Sequence, residues 1–251
     1  MIPPIGSTTV PALTGPALTG PALTSPEQAR TGPRRPLPAT IKAAVFDCDG
    51  LLVDSEPRWR IAEAAVFAAE GQPYGPAEME RYLGRAMDEC CRDMARIFGR
   101  PGDERAISDA LLAEVGIALA EGADPMPGAA DLLARMAAKV PMAVASNSPR
   151  SALTAALVGS GLAPLVPITV SADDVTHPKP APDLYLAACA TLGVEPQHAV
   201  AFEDSVTGAA AARAAGLYVI AVPSEPGRPI EHDWMLDSLT DPALTAWVDS
   251  L

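Results

Sequence analysis

Short apolar runs that stop abruptly at polar residues alternate along this chain with longer stretches in which apolar residues recur every three or four positions. Ile41-Lys-Ala-Ala-Val-Phe46 is nearly continuous and rich in branched residues, the pattern of a strand buried on both faces, and it ends at Asp47-Cys48-Asp49-Gly50. Pro141-Met-Ala-Val-Ala145 ends at Ser146-Asn147-Ser148-Pro149, a shorter run covers Ile168 to Val170, Ala199-Val-Ala-Phe202 ends at Glu203-Asp204, and Tyr218 to Val222 makes the last core strand. Helical stretches lie between them: a turn and helix from Pro127, a helix from Ser151 to Gly161, and the small-residue run Gly208 to Gly216. Strands alternating with helices predict an α/β fold built on a doubly wound parallel sheet.

One block departs from this rhythm. From Pro57 to about Gly122 the spacing is helical throughout, with Trp59, Ala62, Val66 and Ala69 in one series and Ile107, Leu111, Val115 and Leu119 in another. Gly71-Gln-Pro-Tyr-Gly-Pro and Phe98-Gly-Arg-Pro-Gly break it into pieces. The expected organisation is a core of residues 41–56 and 123–251 with a helical unit, 57–122, inserted after the first strand end and hinged near Pro57 and Asp124-Pro125. Residues 1–40 stand apart. Pro11-Ala-Leu-Thr-Gly recurs from Pro16 and, ending in Ser25, from Pro21. Proline at every fifth position blocks helix and sheet ladders, so the segment is expected to be a disordered or extended tail. With no basic start and no continuous apolar core, it is not a secretory signal.

The polar strand ends carry the chemistry. Two carboxylates one residue apart at the carboxyl end of a buried strand are costly to desolvate without a positive partner. Ligands bind at that edge of an open α/β sheet, and hard oxygen ligands without a His or Cys cluster favour magnesium. Ser146 and Asn147 sit where a strand meets a Pro-initiated helix, placed to hydrogen-bond a phosphoryl oxygen. Lys179, fixed between Pro178 and Pro180, suits the neutralisation of clustered carboxylates and a phosphoryl group. Glu203-Asp204 adds two more acids at another strand end.

Asp47-x-Asp49-Gly-Leu-Leu-Val-Asp-Ser-Glu56, the Ser146 strand end, Lys179-Pro-x-Pro-Asp183 and Glu203-Asp204 together resemble, in order, the four signatures of the haloacid dehalogenase superfamily in its β-phosphoglucomutase-like branch. The resemblance spans residues 41–222. It implies a Rossmann-like core with the 57–122 block as an α-helical cap, and phosphatase chemistry on a small phosphate ester. In that scheme Asp47 is the nucleophile forming an aspartyl-phosphate, and Asp49 is the general acid and base. Asp47, Glu203 and Asp204 hold Mg2+ together with Asp49, which contributes its backbone carbonyl, and Ser146, Asn147 and Lys179 bind phosphate. A second acid at Asp49 favours an alcohol leaving group over halide, because the alkoxide needs a proton. The mutases of this branch carry a His where this chain has Trp59, and an Arg where it has Met87. Both departures favour a phosphatase over the alternative, a hexose phosphate mutase. A non-catalytic binding module is the further alternative, but it would be expected to have lost Asp47 or Asp49. Arg58 and Arg85 are candidate substrate contacts from the cap, and the substrate class is a sugar, polyol or sugar-acid phosphate.

Composition narrows the partners. A formal net charge of −13 argues against nucleic acid and anionic membranes, so an anionic substrate must be attracted by a local metal and a few basic side chains. No apolar run approaches membrane-spanning length. The four cysteines lack metal-ligand spacing, as expected of reduced thiols in a cytoplasmic, monomeric protein. Cys90 and Arg96 match the Cys-x5-Arg spacing of cysteine-dependent phosphatases, but the residues between them contain no glycine and read as mid-helix.

Overall fold

The computed structural model describes residues 35–82, 87–224 and 229–251. Along the chain, β1 (Ala43–Phe46) and the two-residue β2 (Val53–Asp54) lead into four helices: α1 (Glu56–Ala69), α2 (Pro76–Tyr82), α3 (Met87–Ile97) and α4 (Glu104–Ala120). The chain returns through β3 (Asp124–Pro125) and continues as α5 (Ala129–Ala137), β4 (Met142–Ala145), α6 (Arg150–Gly159), β5 (Thr169–Val170), α7 (Asp183–Leu192), β6 (Ala199–Glu203), α8 (Val206–Ala215), β7 (Tyr218–Ala221), β8 (Trp234–Met235) and α9 (Pro242–Ser250).

Six strands form one parallel sheet in the order β5-β4-β1-β6-β7-β8, with β1 hydrogen-bonded to both β4 and β6. The side-chain period of two divides the first strand cleanly. Ala44 and Phe46 belong to one core cluster with Val144, Phe202 and Ile220, while Ala43 and Val45 join the other with Ala201, Val219 and Tyr185. Phe46 stacks on Phe202, with ring centroids 4.7 Å apart. Burial on both faces explains why these strands read as continuous apolar runs. The ladder goes one strand beyond the expected end at β7, since β8 pairs with it in parallel. Flanked by His232-Asp233 and Asp237, β8 offers no extended apolar run to a sequence reading.

The helical block leaves and re-enters the sheet layer across one small antiparallel ribbon, with Val53 opposite Pro125 and Asp54 opposite Asp124. The breaks between α1 and α2 and between α3 and α4 fall at the two Gly/Pro clusters, as expected. Within the block α4 packs on α1 and α3, and it also reaches α6. That last crossing is close: a Cβ on Gly159 would lie 2.1 Å from the Leu119 carbonyl oxygen.

Of the expected tail, residues 1–34 lie outside the described residues, and the segment from Arg35 is not loose. The Tyr218 hydroxyl donates to the Arg35 carbonyl (2.9 Å), and the Trp247 indole donates to that of Pro38 (3.0 Å). Over residues 35–38, two aromatic donors of the core therefore satisfy backbone carbonyls of this segment. Among the described residues no helix is long and apolar enough to cross a membrane.

Candidate active site

The carboxyl ends of β1, β4 and β6 lie side by side, so the polar residues that terminate them face one cleft of about 640 Å3. Asp47 follows β1. The Lys179 ammonium donates to its Oδ1 at 2.5 Å and to Glu203 Oε1 at 2.7 Å, so one buried cation bridges two buried carboxylates. Burial alone pulls the Lys179 pKa down. Asp47 and Glu203 outweigh it and hold the group above the ordinary lysine value, so it stays charged. Asp47 is raised well above the usual carboxylate range, first by burial and then by the Glu203, Asp204 and Asp49 charges, with Lys179 opposing.

Asp47, Glu203 and Asp204 converge, each offering a carboxylate oxygen within 4.8 Å of the others. Burial and the neighbouring Glu203 charge push Asp204 up to about 7, against the opposing Ser224 hydrogen bond and Lys179 charge. Its Oδ1 is buried without a hydrogen-bond partner. Three buried carboxylates, of which one lysine pairs with only two, with an orphaned oxygen on the third, suit a hard divalent cation. Asp49 is turned elsewhere. Its Oδ2 accepts from the Ser148 hydroxyl at 2.8 Å and the Ser146 hydroxyl at 3.2 Å, and its carboxylate is not among the three that converge.

Two glycines make this convergence possible. Gly50 turns the chain at φ +79°, and a Cβ there would lie 2.3 Å from Asp204 Oδ2. A Cβ on Gly208 would lie 1.9 Å from Glu203 Oε1. Gly208→Ala is therefore expected to lower stability by about 1–3 kcal/mol through overpacking. Gly116→Ala, in α4 with nothing within 4 Å of the added carbon, should gain up to about 1 kcal/mol instead. Urea unfolding of the two variants checks both, and equal midpoints would contradict the close approach at Glu203.

Asn147 and Arg58 have surroundings that the sequence did not announce. The Asn147 side chain is occupied on both sides by the backbone of Lys179, its Nδ2 donating to the carbonyl (3.1 Å) and its Oδ1 accepting from the amide (2.8 Å). It clamps the lysine loop at the lining of the cleft. Arg58 does not line the cleft. Helical spacing turns Glu56, Trp59 and Glu63 of α1 toward it instead. Arg85 lies outside the described residues. Cys90 and Arg96 sit within α3, with no phosphate-cradling loop between them.

Sequence reasoning missed three participants. Ser148 orients Asp49, Ser224 supports Asp204, and the Tyr185 hydroxyl donates to Glu203 Oε1 while its ring lies 5.1 Å from the Lys179 ammonium. Tyr185 sits at helical spacing inside an apolar stretch, so it reads as core, and only its hydroxyl distinguishes it.

Comparison with known proteins shows the family. The haloacid dehalogenase-like hydrolase family model matches residues 41–216. The chain is 34% identical over 208 residues to validoxylamine A 7'-phosphate phosphatase of Streptomyces hygroscopicus subsp. limoneus, covering 80% of this chain and 95% of that protein. It is 34% identical over 213 residues to hexitol phosphatase B of Escherichia coli, covering 81% and 95%. Among solved structures, CbbY of Rhodobacter sphaeroides in complex with phosphate superimposes with a TM-score of 0.70 at 30% identity, over 84% of this chain and 100% of that one. The chain thus belongs to the haloacid dehalogenase-like hydrolases and is a phosphoric monoester hydrolase of that family.

Proposed function

We propose that the protein is a magnesium-dependent phosphatase of a small phosphate monoester, a sugar or polyol phosphate, that works through an aspartyl-phosphate on Asp47. The observation that carries the reading is the pairing of Asp47 with Lys179 at the end of β1, beside the Glu203 and Asp204 carboxylates. Asp47 Oδ attacks phosphorus and the bond to the ester oxygen breaks. Asp49 gives the departing alkoxide its proton, then takes one from the water that attacks the aspartyl-phosphate, which returns Asp47 and frees inorganic phosphate. Lys179 and Ser146 hold the phosphoryl oxygens during both steps. Asp47, Asp204 and the Asp49 carbonyl would hold Mg2+, with Glu203 binding directly or through water. When bound, the ion would shield the charge of the nucleophile from that of the incoming phosphate.

The helical block, residues 57–122, acts as a cap hinged on the β2–β3 ribbon, and its α1 face supplies Trp59 to the cleft. An indole there carries no charge to clamp a second phosphate, which favours hydrolysis over phosphoryl return to the sugar. The test is phosphate release from a panel of sugar, polyol and sugar-acid phosphates with magnesium or EDTA. Release that needs the metal supports the reading. Conversion of glucose 1-phosphate to glucose 6-phosphate with a bisphosphate primer, without phosphate release, would instead establish the mutase.

A further inference from the structure

Away from the phosphate end, the cleft is walled by Glu56, Trp59 and Glu63 of α1, Tyr82 of α2 and Asp88 of α3. Of the described residues lining the cleft, Lys179 is the one Lys or Arg, and it is already paired with Asp47 and Glu203 at the far end. The wall therefore carries three carboxylates. Glu56 is partly neutralised by Arg60, 3.3 Å away on the same helix. Glu63 is buried, and its Oε2 accepts from the Tyr74 hydroxyl. Tyr82 is 4% exposed, and its hydroxyl is buried with no hydrogen-bond partner, a polar group waiting for one. Trp59 offers an indole among these acids, and aromatic faces attract cations as carboxylates do.

We infer that this wall selects the alcohol half of the substrate by charge, favouring a leaving group that carries a protonated amine and rejecting one that carries a carboxylate or a second phosphate. The inference rests on the phosphatase reading and narrows it. A phosphate monoester is anionic at one end only, where Lys179 and the metal residues receive it. A second anion at the opposite end would face Glu63 and Asp88 with no cation among the described lining residues to meet it, and like charges held together in a partly desolvated cleft oppose binding. An ammonium there would gain a carboxylate partner at Glu63 or Asp88 and the face of Trp59. Neutral hydroxyls fall between these cases, satisfied by the Tyr82 hydroxyl and carboxylate oxygens.

The experiment compares kcat/KM at neutral pH and low salt, with magnesium, for four esters of graded charge and for p-nitrophenyl phosphate. The four are glucosamine 6-phosphate, glucose 6-phosphate, 6-phosphogluconate and fructose 1,6-bisphosphate. The expected order is the order just given, with steps of roughly tenfold per unit charge that shrink as salt is added. Glu63→Gln and Asp88→Asn should each lower the ratio of glucosamine 6-phosphate to 6-phosphogluconate severalfold. Glu63 is buried, so its variant tests folding as well as selectivity, while exposed Asp88 provides the same readout on the surface. A flat series, a preference for the anionic esters, or a ratio untouched in the Asp88 variant overturns the inference and leaves the phosphatase reading standing. Absence of release from every ester, p-nitrophenyl phosphate included, overturns both.

Discussion

Asp47→Asn is expected to abolish phosphate release, lowering kcat by about 10^4-fold or more, while the metal-free protein stays folded and becomes at least as stable as wild type at pH 8. The two halves of this expectation come from the same geometry. An amide keeps the shape of the side chain but loses the charged oxygen that must bond to phosphorus, and no neighbouring group replaces it: Asp49 is held by the Ser146 and Ser148 hydroxyls, and Glu203 by Lys179 and Tyr185. Stability moves the other way because the Asp47 carboxylate is buried and faces the Glu203, Asp204 and Asp49 charges. Removing one of these like charges relieves repulsion, and Lys179 keeps its bond to Glu203 at 2.7 Å, so no buried cation is left unpaired. Phosphate release and a thermal melt in EDTA at pH 8 check both halves. Turnover within tenfold of wild type would remove Asp47 from the nucleophile's role. A collapse in melting temperature would show that the Asp47–Lys179 pair holds the fold together.

The parts of the site that were legible in the sequence are those where polarity interrupts an apolar strand. Asp47, Asp49, Ser146, Glu203 and Asp204 each stop or follow a buried run, and a charged group at such an edge needs a reason. Lys179 stood out for a different cause, the prolines around it. The sheet was legible for the same reason, since strands buried on both faces leave continuous apolar runs, whereas β2, β3 and β8 are pairs of residues, each containing or adjoining an aspartate. Side chains whose roles depend on direction were not legible. Arg58 and Trp59 are neighbours in sequence, but helical rotation turns only Trp59 into the cleft. Asn147 has the chemistry of a phosphate ligand, yet its amide meets the Lys179 backbone, a pairing across 32 positions that the sequence does not announce. Tyr185 and Ser224 act through other residues, and a group that supports a carboxylate looks like core or loop until the carboxylate is located.

Without metal, the protein should lose stability as pH rises from 4 to 7, and magnesium should restore it most at the alkaline end. Asp204 carries the sign. Its folded-state pKa is about 7 against an ordinary 3.8, so between these values the unfolded chain is ionised there while the folded chain keeps its proton. A raised pKa contributes stability that is complete below the unfolded value and disappears as pH climbs through the folded one. The slope is about 1.4 kcal/mol per pH unit, or about 4 kcal/mol over the window, and Asp47, also raised, acts in the same direction. Magnesium would reverse the balance because its ligands must be ionised: the charges that repel one another in the metal-free cluster would become its binding energy, and affinity would grow with pH. Melting temperatures with magnesium and with EDTA should therefore lie close together at pH 5 and separate by on the order of 10 °C at pH 8. Asp204→Asn, which keeps the shape but cannot ionise, should flatten the EDTA curve and close most of the gap. A gap of equal size at pH 5 and pH 8 would mean that the cluster of Asp47, Glu203 and Asp204 is not where the ion binds.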